Sequence, residues 1–260
     1  MKSTQELFDL TGKVALLTGA SKGMGEAMAE GLAEQGAKVV VSSRKLDQCE
    51  EACARINERC GDARAVPIAC NIGYKEQLEE LVAKTHERLG KIDVLVCNAG
   101  VNPFYGPMSE IPDWAFDKIM DSNVRSNHWL CQMVAPDMVE KGKGSMMVTS
   151  STGAFNASTT LGTYAISKLA DIALVRNLAA EYGPAGVRAN AICPGLIKTD
   201  FAKALWDNPE AKERAETQIP LRRLGESEDL KGTVVFLASD ASAYITGQAI
   251  TVCGGSNMWS

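Results

Sequence analysis

The sequence predicts an α/β fold, one doubly wound, seven-stranded parallel sheet with helices on both faces. Three observations point there. Short aliphatic runs alternate with longer segments of 3.6-residue periodicity, the strands carry apolar residues on both faces, and no Pro/Gly/Ser linker, low-complexity tract or repeat interrupts the rhythm. The 260 residues, 45% of them hydrophobic, suffice for one large domain, so we place no boundary within 1–260.

Val14–Thr18 reads as the first strand and Met24 to Gln35 as the helix after it, which together make one β-α unit. Lys38 to Ser42 is the second strand and leads to a charged helix, Leu46 to Arg59. Ala65 to Cys70 and Lys75 to Leu89 repeat the pattern, and Asp93 to Cys97 is the fourth strand. A helical segment at Asp113 to Met120 and a longer one ending near Glu140 precede the fifth strand, Ser145 to Ser150. A helix at Thr163 to Tyr182, a strand at Val187 to Cys193, helical pieces between Phe201 and Leu237, and a last strand at Ala249 to Cys253 complete the chain. Such an order defines a Rossmann sheet, whose ligands bind where the strands end carboxyl-first. Thr199 to Pro220 is an irregular insertion expected on that edge.

Charge and cysteine usage exclude several classes of function. Twenty-seven basic residues against 32 acidic ones leave a net charge of -5, with no basic surplus for a phosphate backbone, so no nucleic-acid partner is expected. Ser145 to Ser167, the longest uncharged stretch, is rich in Ser, Thr, Gly and Asn and does not suit hydrocarbon, so no membrane partner is expected. Val14–Leu17 is too short for a signal-peptide core and runs into Thr-Gly, so a cytoplasmic protein is expected. The eight cysteines are scattered and read as reduced thiols. Cys49, Cys53 and Cys60 lack a Cys-x2-Cys pair and the chain has only two histidines, so no metal site is expected.

After the first strand comes Thr18-Gly19-Ala20-Ser21-Lys22-Gly23-Met24-Gly25. Its glycines permit a tight turn that brings backbone to a pyrophosphate at the N-terminus of the next helix, the signature of dinucleotide binding. At the end of the second strand, where an NAD-binding sheet presents Asp or Glu to the ribose, stand Ser43, Arg44 and Lys45. Ser43, Arg44 and Lys22 suit a 2′-phosphate, which predicts NADP(H) over NAD(H).

Tyr164 and Lys168 are four apart at the start of a helix and share one face. A phenol with a pKa of about 10 exchanges protons poorly at neutral pH, and a neighbouring ammonium stabilises its phenolate. The pair therefore predicts general acid/base chemistry.

With these motifs the chain resembles the classical short-chain dehydrogenase/reductase family, from about Leu10 to Gly255. Thr18 to Gly25, Cys97-Asn98-Ala99-Gly100, Asn123, Ser151, Tyr164-x3-Lys168 and Pro194-Gly195 stand in the family's order. The resemblance implies that Tyr164 is the general acid/base and that Lys168 assists it and binds the nicotinamide ribose. It also implies that Ser151, thirteen residues before Tyr164, holds the substrate oxygen, and that Asn123 holds a water linking Lys168 to solvent. Asn98, Ala99 and Gly100 would line the adenosine side, and Ile197 and Thr199, after Pro194-Gly195, would fix the carboxamide. The chain has Asn71-Ile72 where many members place Asp against the adenine, which weakens that contact.

Val39 to Lys45, Asn102 to Gly106, Pro194 to Thr199, Arg222 to Glu226 and Tyr244 to Gly247 look most like NADPH-dependent carbonyl reductases of the peroxisomal, retinal-reducing type and their bacterial relatives. The chain ends Asn257-Met258-Trp259-Ser260, without a Ser-Lys-Leu-like address. An apolar or aromatic ketone, aldehyde or dicarbonyl, or the matching secondary alcohol, is the expected substrate, with walls from Pro103-Phe104-Tyr105, Phe155, Phe201, Leu205 and Trp206. One alternative is a 3-oxoacyl thioester reductase, with Arg125, Arg222 and Arg223 greeting its carrier. Another is a non-catalytic NADPH-binding sensor or scaffold. The resemblance further implies a homotetramer built through the two long helices and the last strand.

Overall fold

Parallel strands need crossovers, and helices whose apolar stripe faces the sheet provide them. The computed structural model describes residues 1–258; Trp259 and Ser260, half of the tail quoted above, lie outside the described residues. Strands β1 (Val14–Thr18), β2 (Lys38–Ser43), β3 (Ala65–Ala69), β4 (Val94–Cys97), β5 (Gly144–Thr149), β6 (Val187–Pro194) and β7 (Ala249–Val252) form one sheet in the order β3-β2-β1-β4-β5-β6-β7. Every neighbouring pair is parallel. This is a Rossmann fold with seven parallel strands in one sheet, and its order reverses between β1 and β4.

The helices are α1 (Thr4–Phe8), α2 (Gly23–Glu34), α3 (Leu46–Cys60), α4 (Lys75–Leu89), α5 (Asp113–Met120), α6 (Ser126–Lys141), α7 (Gly162–Tyr182), α8 (Lys203–Trp206), α9 (Pro209–Gln218) and α10 (Lys231–Ala238). Their stripes explain their docking. In α3 the buried residues are Cys49, Ala52, Cys53 and Ile56, and in α4 they are Leu78, Leu81, Val82 and Thr85, each set spaced i, i+3, i+4, i+7. Two apolar clusters cover the two sheet faces, one around Leu17, Val39, Met28 and Leu32, the other around Leu16, Leu95, Leu130 and Met146. Cys49 and Cys53 thus belong to the core, and no group of metal-ligating side chains converges among the described residues. No helix among them is long and apolar enough to cross a membrane.

The strands and long helices fall within a residue or two of the sequence expectation. Two features differ. Thr4–Phe8 forms a helix under a capping box of Ser3 and Glu6, too short to give a periodic signal. The two helices expected between Asp113 and Glu140 form a continuous helical path through one π-turn, Asp121–Arg125, in which the Ser126 N–H reaches the Asp121 carbonyl.

Candidate active site

The reversal of strand order leaves a crevice above the carboxyl ends of β1 and β4, and the glycine turn fills its floor. A Cβ on Gly25 would lie 2.1 Å from the Gly19 carbonyl oxygen and 2.6 Å from Asn98 Nδ2, so only glycine lets α2 approach so closely. Gly19 has φ +62°, and a Cβ there would meet Ala99 Cα at 2.8 Å. Asn98 Nδ2 donates to the Gly19 carbonyl at 2.9 Å, while Thr18 Oγ1 accepts from the Asn98 and Ala99 N–H groups. The turn and the segment Asn98–Gly100 are therefore clamped together. Ser21 is buried beneath them, and Met24 packs on the core cluster.

Lys22 precedes α2 and offers no side-chain cap, which leaves the first N–H groups of a twelve-residue helix for an anion. The side-chain oxygen of Asn98, beside the glycine turn, and the hydroxyl of Ser42, near the end of β2, are buried without a hydrogen-bond partner among the described residues. These features fit a nicotinamide dinucleotide. At the end of β2, Ser43 Oγ lies 3.2 Å from Cys49 Sγ, and Arg44 is exposed, with no ion pair among the described residues. Lys22, expected at the 2′-phosphate, instead pairs with Asp200 at 2.7 Å. That bond holds the Asp200 carboxyl below the usual range. Asn71 Oδ1 accepts from the Gly73 N–H at 3.1 Å, so one of its two lone pairs is already used, and Ile72 packs on the core.

Helix α7 carries the second half of the site. A stripe that would ordinarily be apolar holds Ser167, Lys168 and Asp171, all buried, before it turns apolar at Ile172, Val175 and Leu178. Lys168 Nζ donates to the Thr149 carbonyl at 2.8 Å and to Asp171 Oδ2 at 3.0 Å, and stands 5.8 Å from the centroid of the Tyr164 ring. Burial works against its charge, but attraction to Asp171 and then Tyr164 outweighs burial and holds the ammonium above its usual pKa. Burial pushes the Asp171 carboxyl up from its usual value, against the pull of Lys168 and Asn127.

Asn123 sits in the π-turn, fully buried. Its Oδ1 accepts from the Val101 N–H at 2.8 Å, and its Nδ2 donates to the Val101 carbonyl and to Ser167 Oγ, each at 3.0 Å. The amide is thus spent on bracing the loop after β4, while its carbonyl accepts from Asn127 Nδ2 at 2.6 Å. A Cβ on Gly100 would lie 3.4 Å from Asn123 Oδ1 and 3.6 Å from Lys168 Nζ, so these three residues converge. Ser151 is half-buried, and its Oγ accepts from the Gly153 N–H at 3.0 Å. Adjacent Ser150 is buried and donates to the Lys168 carbonyl at 2.7 Å, a bond that holds α7 to β5.

The edge of the crevice is aromatic. The Phe201 ring lies 6.3 Å from the Tyr164 ring, and Phe104 and Asn102 line a cleft beside Tyr164. Trp206 Nε1 donates to the Thr199 carbonyl, which ties the insertion to its own root. Phe155, expected on a pocket wall, packs against the core cluster. Pro194 ends β6, Gly195 bonds the Val252 carbonyl, Ile197 is buried in a bridge to Gly225, and the Thr199 methyl approaches Gly23.

Sequence reasoning missed Asp171, Asn127 and Ser167, and the pairing of Lys22 with Asp200. Asp171 had a signal. It lies three residues beyond Lys168 and seven beyond Tyr164, on the same helical face.

A glycine turn at the strand-order switch and a buried lysine beside a tyrosine define a nicotinamide-dependent oxidoreductase acting on a CH–OH or carbonyl group. The family model described as enoyl-(acyl carrier protein) reductase matches residues 19–257. Human dehydrogenase/reductase SDR family member 4 is 41% identical over 247 residues, 95% of this chain and 88% of that protein. A gluconate 5-dehydrogenase from Burkholderia cenocepacia, crystallised with NADP and tartrate, superposes with a TM-score of 0.93 at 29% identity, covering 99% of this chain and 100% of that one. A 7α-hydroxysteroid dehydrogenase complexed with NADH and 7-oxo glycochenodeoxycholic acid has a TM-score of 0.92 at 35% identity, covering 98% of each chain. The chain belongs to the classical short-chain dehydrogenase/reductase family, whose members bind a nicotinamide cofactor.

Proposed function

We propose that residues 1–260 form a single-domain, NADP(H)-dependent carbonyl reductase acting on an apolar or aromatic ketone, aldehyde or dicarbonyl. The observation that carries this reading is the buried Lys168 ammonium 5.8 Å from the Tyr164 ring. A bound nicotinamide would supply the hydride to the carbonyl carbon. Tyr164 gives its proton to the carbonyl oxygen, and Lys168 balances the phenolate left behind. Ser151 spends a lone pair on the Gly153 N–H, so its own hydrogen is free to hold the substrate oxygen. Gly19, Ser21, Gly23, Gly25, Asn98 and Ala99 would cradle the dinucleotide, with Ile197 and Thr199 at the carboxamide end.

NADP(H) is supported by the lack of a carboxylate at the end of β2 and by the exposed Arg44, which has no ion pair among the described residues. The gluconate dehydrogenase with NADP and the hydroxysteroid dehydrogenase with NADH show that this fold serves both nucleotides, so the choice lies in local residues. The apolar substrate is supported by Phe104 and Phe201 around Tyr164. The thioester reading is weakened because Arg125 pairs with Asp121, Arg223 with Asp229, and Arg222 bonds the Thr217 carbonyl. Self-association is supported by Ile166 and Leu169, 46% and 50% exposed on α7, large apolar side chains that a covered face would remove from water.

The test is steady-state turnover of aromatic ketones, diketones, a 3-oxoacyl thioester and an enoyl thioester with NADPH and with NADH. Ketone reduction with NADPH is the expected result. Equal efficiency with NADH, or reduction of the enoyl thioester alone, overturns the reading.

A further inference from the structure

Behind the Tyr164–Lys168 pair lies a carboxylate that the proton transfer described above does not use. Asp171 is fully buried on α7. Its Oδ2 accepts from Lys168 Nζ and its Oδ1 from Asn127 Nδ2, both at 3.0 Å, and the same Asn127 amide donates to the Asn123 carbonyl at 2.6 Å. Both partners are donors. Only an ionised carboxylate accepts on both oxygens; an asparagine would set an NH2 against one donor or the other. The arrangement joins two elements, the first turn of α6 after the π-turn and the face of α7 that carries Tyr164.

Stability alone does not call for this group. A buried ion pair is costly to desolvate, and well-packed apolar residues serve a core as well or better. The charged and titratable groups around it are few. Cys97 at the end of β4, with Cys131 of α6 behind it, and Cys193 of β6 face the pair. The Cys97 thiol is pushed up by its bond to Cys131 and by burial, and the Cys193 thiol by burial to about 11, so both stay neutral in the working range. Neither thiol then competes with Asp171 for the Lys168 ammonium.

We infer that Asp171 is a positioning residue for proton transfer, fixing the Lys168 ammonium behind Tyr164 and tying it through Asn127 to the Asn123 turn. This rests on the reading of Tyr164 as the acid/base. Tyr164 and Lys168 stand close enough for a charge on one to be felt by the other. Removing the negative charge favours the phenolate and removes what keeps a buried ammonium protonated. Whichever group yields first, the pair then loses its first proton at lower pH.

The experiment compares wild type, Asp171→Asn, Asp171→Glu and Tyr164→Phe in kcat/KM against pH, in NADPH affinity, and in ultraviolet difference titration of tyrosine ionisation without cofactor. For Asp171→Asn we expect NADPH affinity to change little, kcat to fall by at least about tenfold, and the alkaline limb and one phenol's ionisation to move down by at least about one pH unit. Asp171→Glu should restore part of both. If Asp171→Asn does not fold, Asn127→Ala keeps the carboxylate but frees it from α6, and kcat should fall with NADPH affinity retained. An unmoved limb in Asp171→Asn, or unchanged kcat in Asn127→Ala, overturns the inference. Tyr164→Phe separates the two readings. If it retains turnover, the acid/base assignment itself is wrong; if it is inactive while Asp171→Asn behaves as wild type, only the role of Asp171 fails.

Discussion

Lys168 and Tyr164 share one face of α7, yet the lysine's hydrogen bonds run to the Thr149 carbonyl and to Asp171 and none to the tyrosine. The ammonium stands 5.8 Å from the centroid of the phenol ring, while two fixed acceptors hold it still, and on the proposed reading it acts on the phenol through its field.

Tyr164→Phe deletes only the hydroxyl and keeps the ring against Phe201. We expect kcat to fall about 10²–10⁴-fold, the range for loss of a general acid, with NADPH binding by fluorescence titration little changed. Full turnover would remove the tyrosine from the chemistry.

Arg44 is exposed and without an ion pair among the described residues, while Lys22 is engaged by Asp200. On the proposed NADP(H) reading, the guanidinium carries most of the discrimination for a 2′-phosphate. Arg44→Ala should raise the KM for NADPH by about ten- to hundredfold, as expected for a lost charge-assisted bond, and leave that for NADH nearly unchanged. A parallel loss for both nucleotides would place Arg44 elsewhere.

Gly25→Ala puts a methyl group 2.1 Å from the Gly19 carbonyl oxygen and against Asn98. Backbone must move, at a cost of about 1–3 kcal/mol. Thermal melts should show a lower midpoint, and NADPH affinity should drop with the distorted turn. A variant that melts and binds like wild type would show that α2 does not pack this closely.

Asp240 bonds Lys143 at 2.5 Å and Lys2 at 2.7 Å, and these bonds, Lys143 first, hold its carboxyl down at about 2. A carboxyl depressed in the folded state adds stability above its ordinary pKa and loses it as pH falls through the folded value. Asp240→Asn should therefore unfold at lower denaturant concentration than wild type at neutral pH, and the gap should close between about pH 4 and pH 2. A gap that persists at the acid end would point to packing rather than charge.

Much of the frame was legible because its signals are local. Aliphatic runs mark β1, β4 and β5, and the i, i+3, i+4, i+7 stripe of α3 names its buried face. The site's outline was legible for the same reason, since Thr18–Gly25 and Tyr164–Lys168 are each contiguous. What escaped depends on distance. Asn127 and Asp171 meet across 44 positions, and Lys22 and Asp200 across 178, where spacing carries no information. The π-turn at Asp121–Arg125 differs from an α-helix only in which carbonyl an N–H reaches, and side-chain pattern does not record that. Asn123 was singled out, but the full engagement of its amide by Val101 and Ser167 shows only in three dimensions.

The register that sets Ala15 beside Val94 also has a consequence for how the chain is made. β1 emerges early from a ribosome but cannot meet its inner neighbour until Cys97 has followed. β1 pairs first with β2, which follows it closely in the chain, and the wider span to β4 closes more slowly. The crevice therefore forms only once β4 has been made, and a nascent chain arrested before it holds a glycine turn without Asn98 to clamp it.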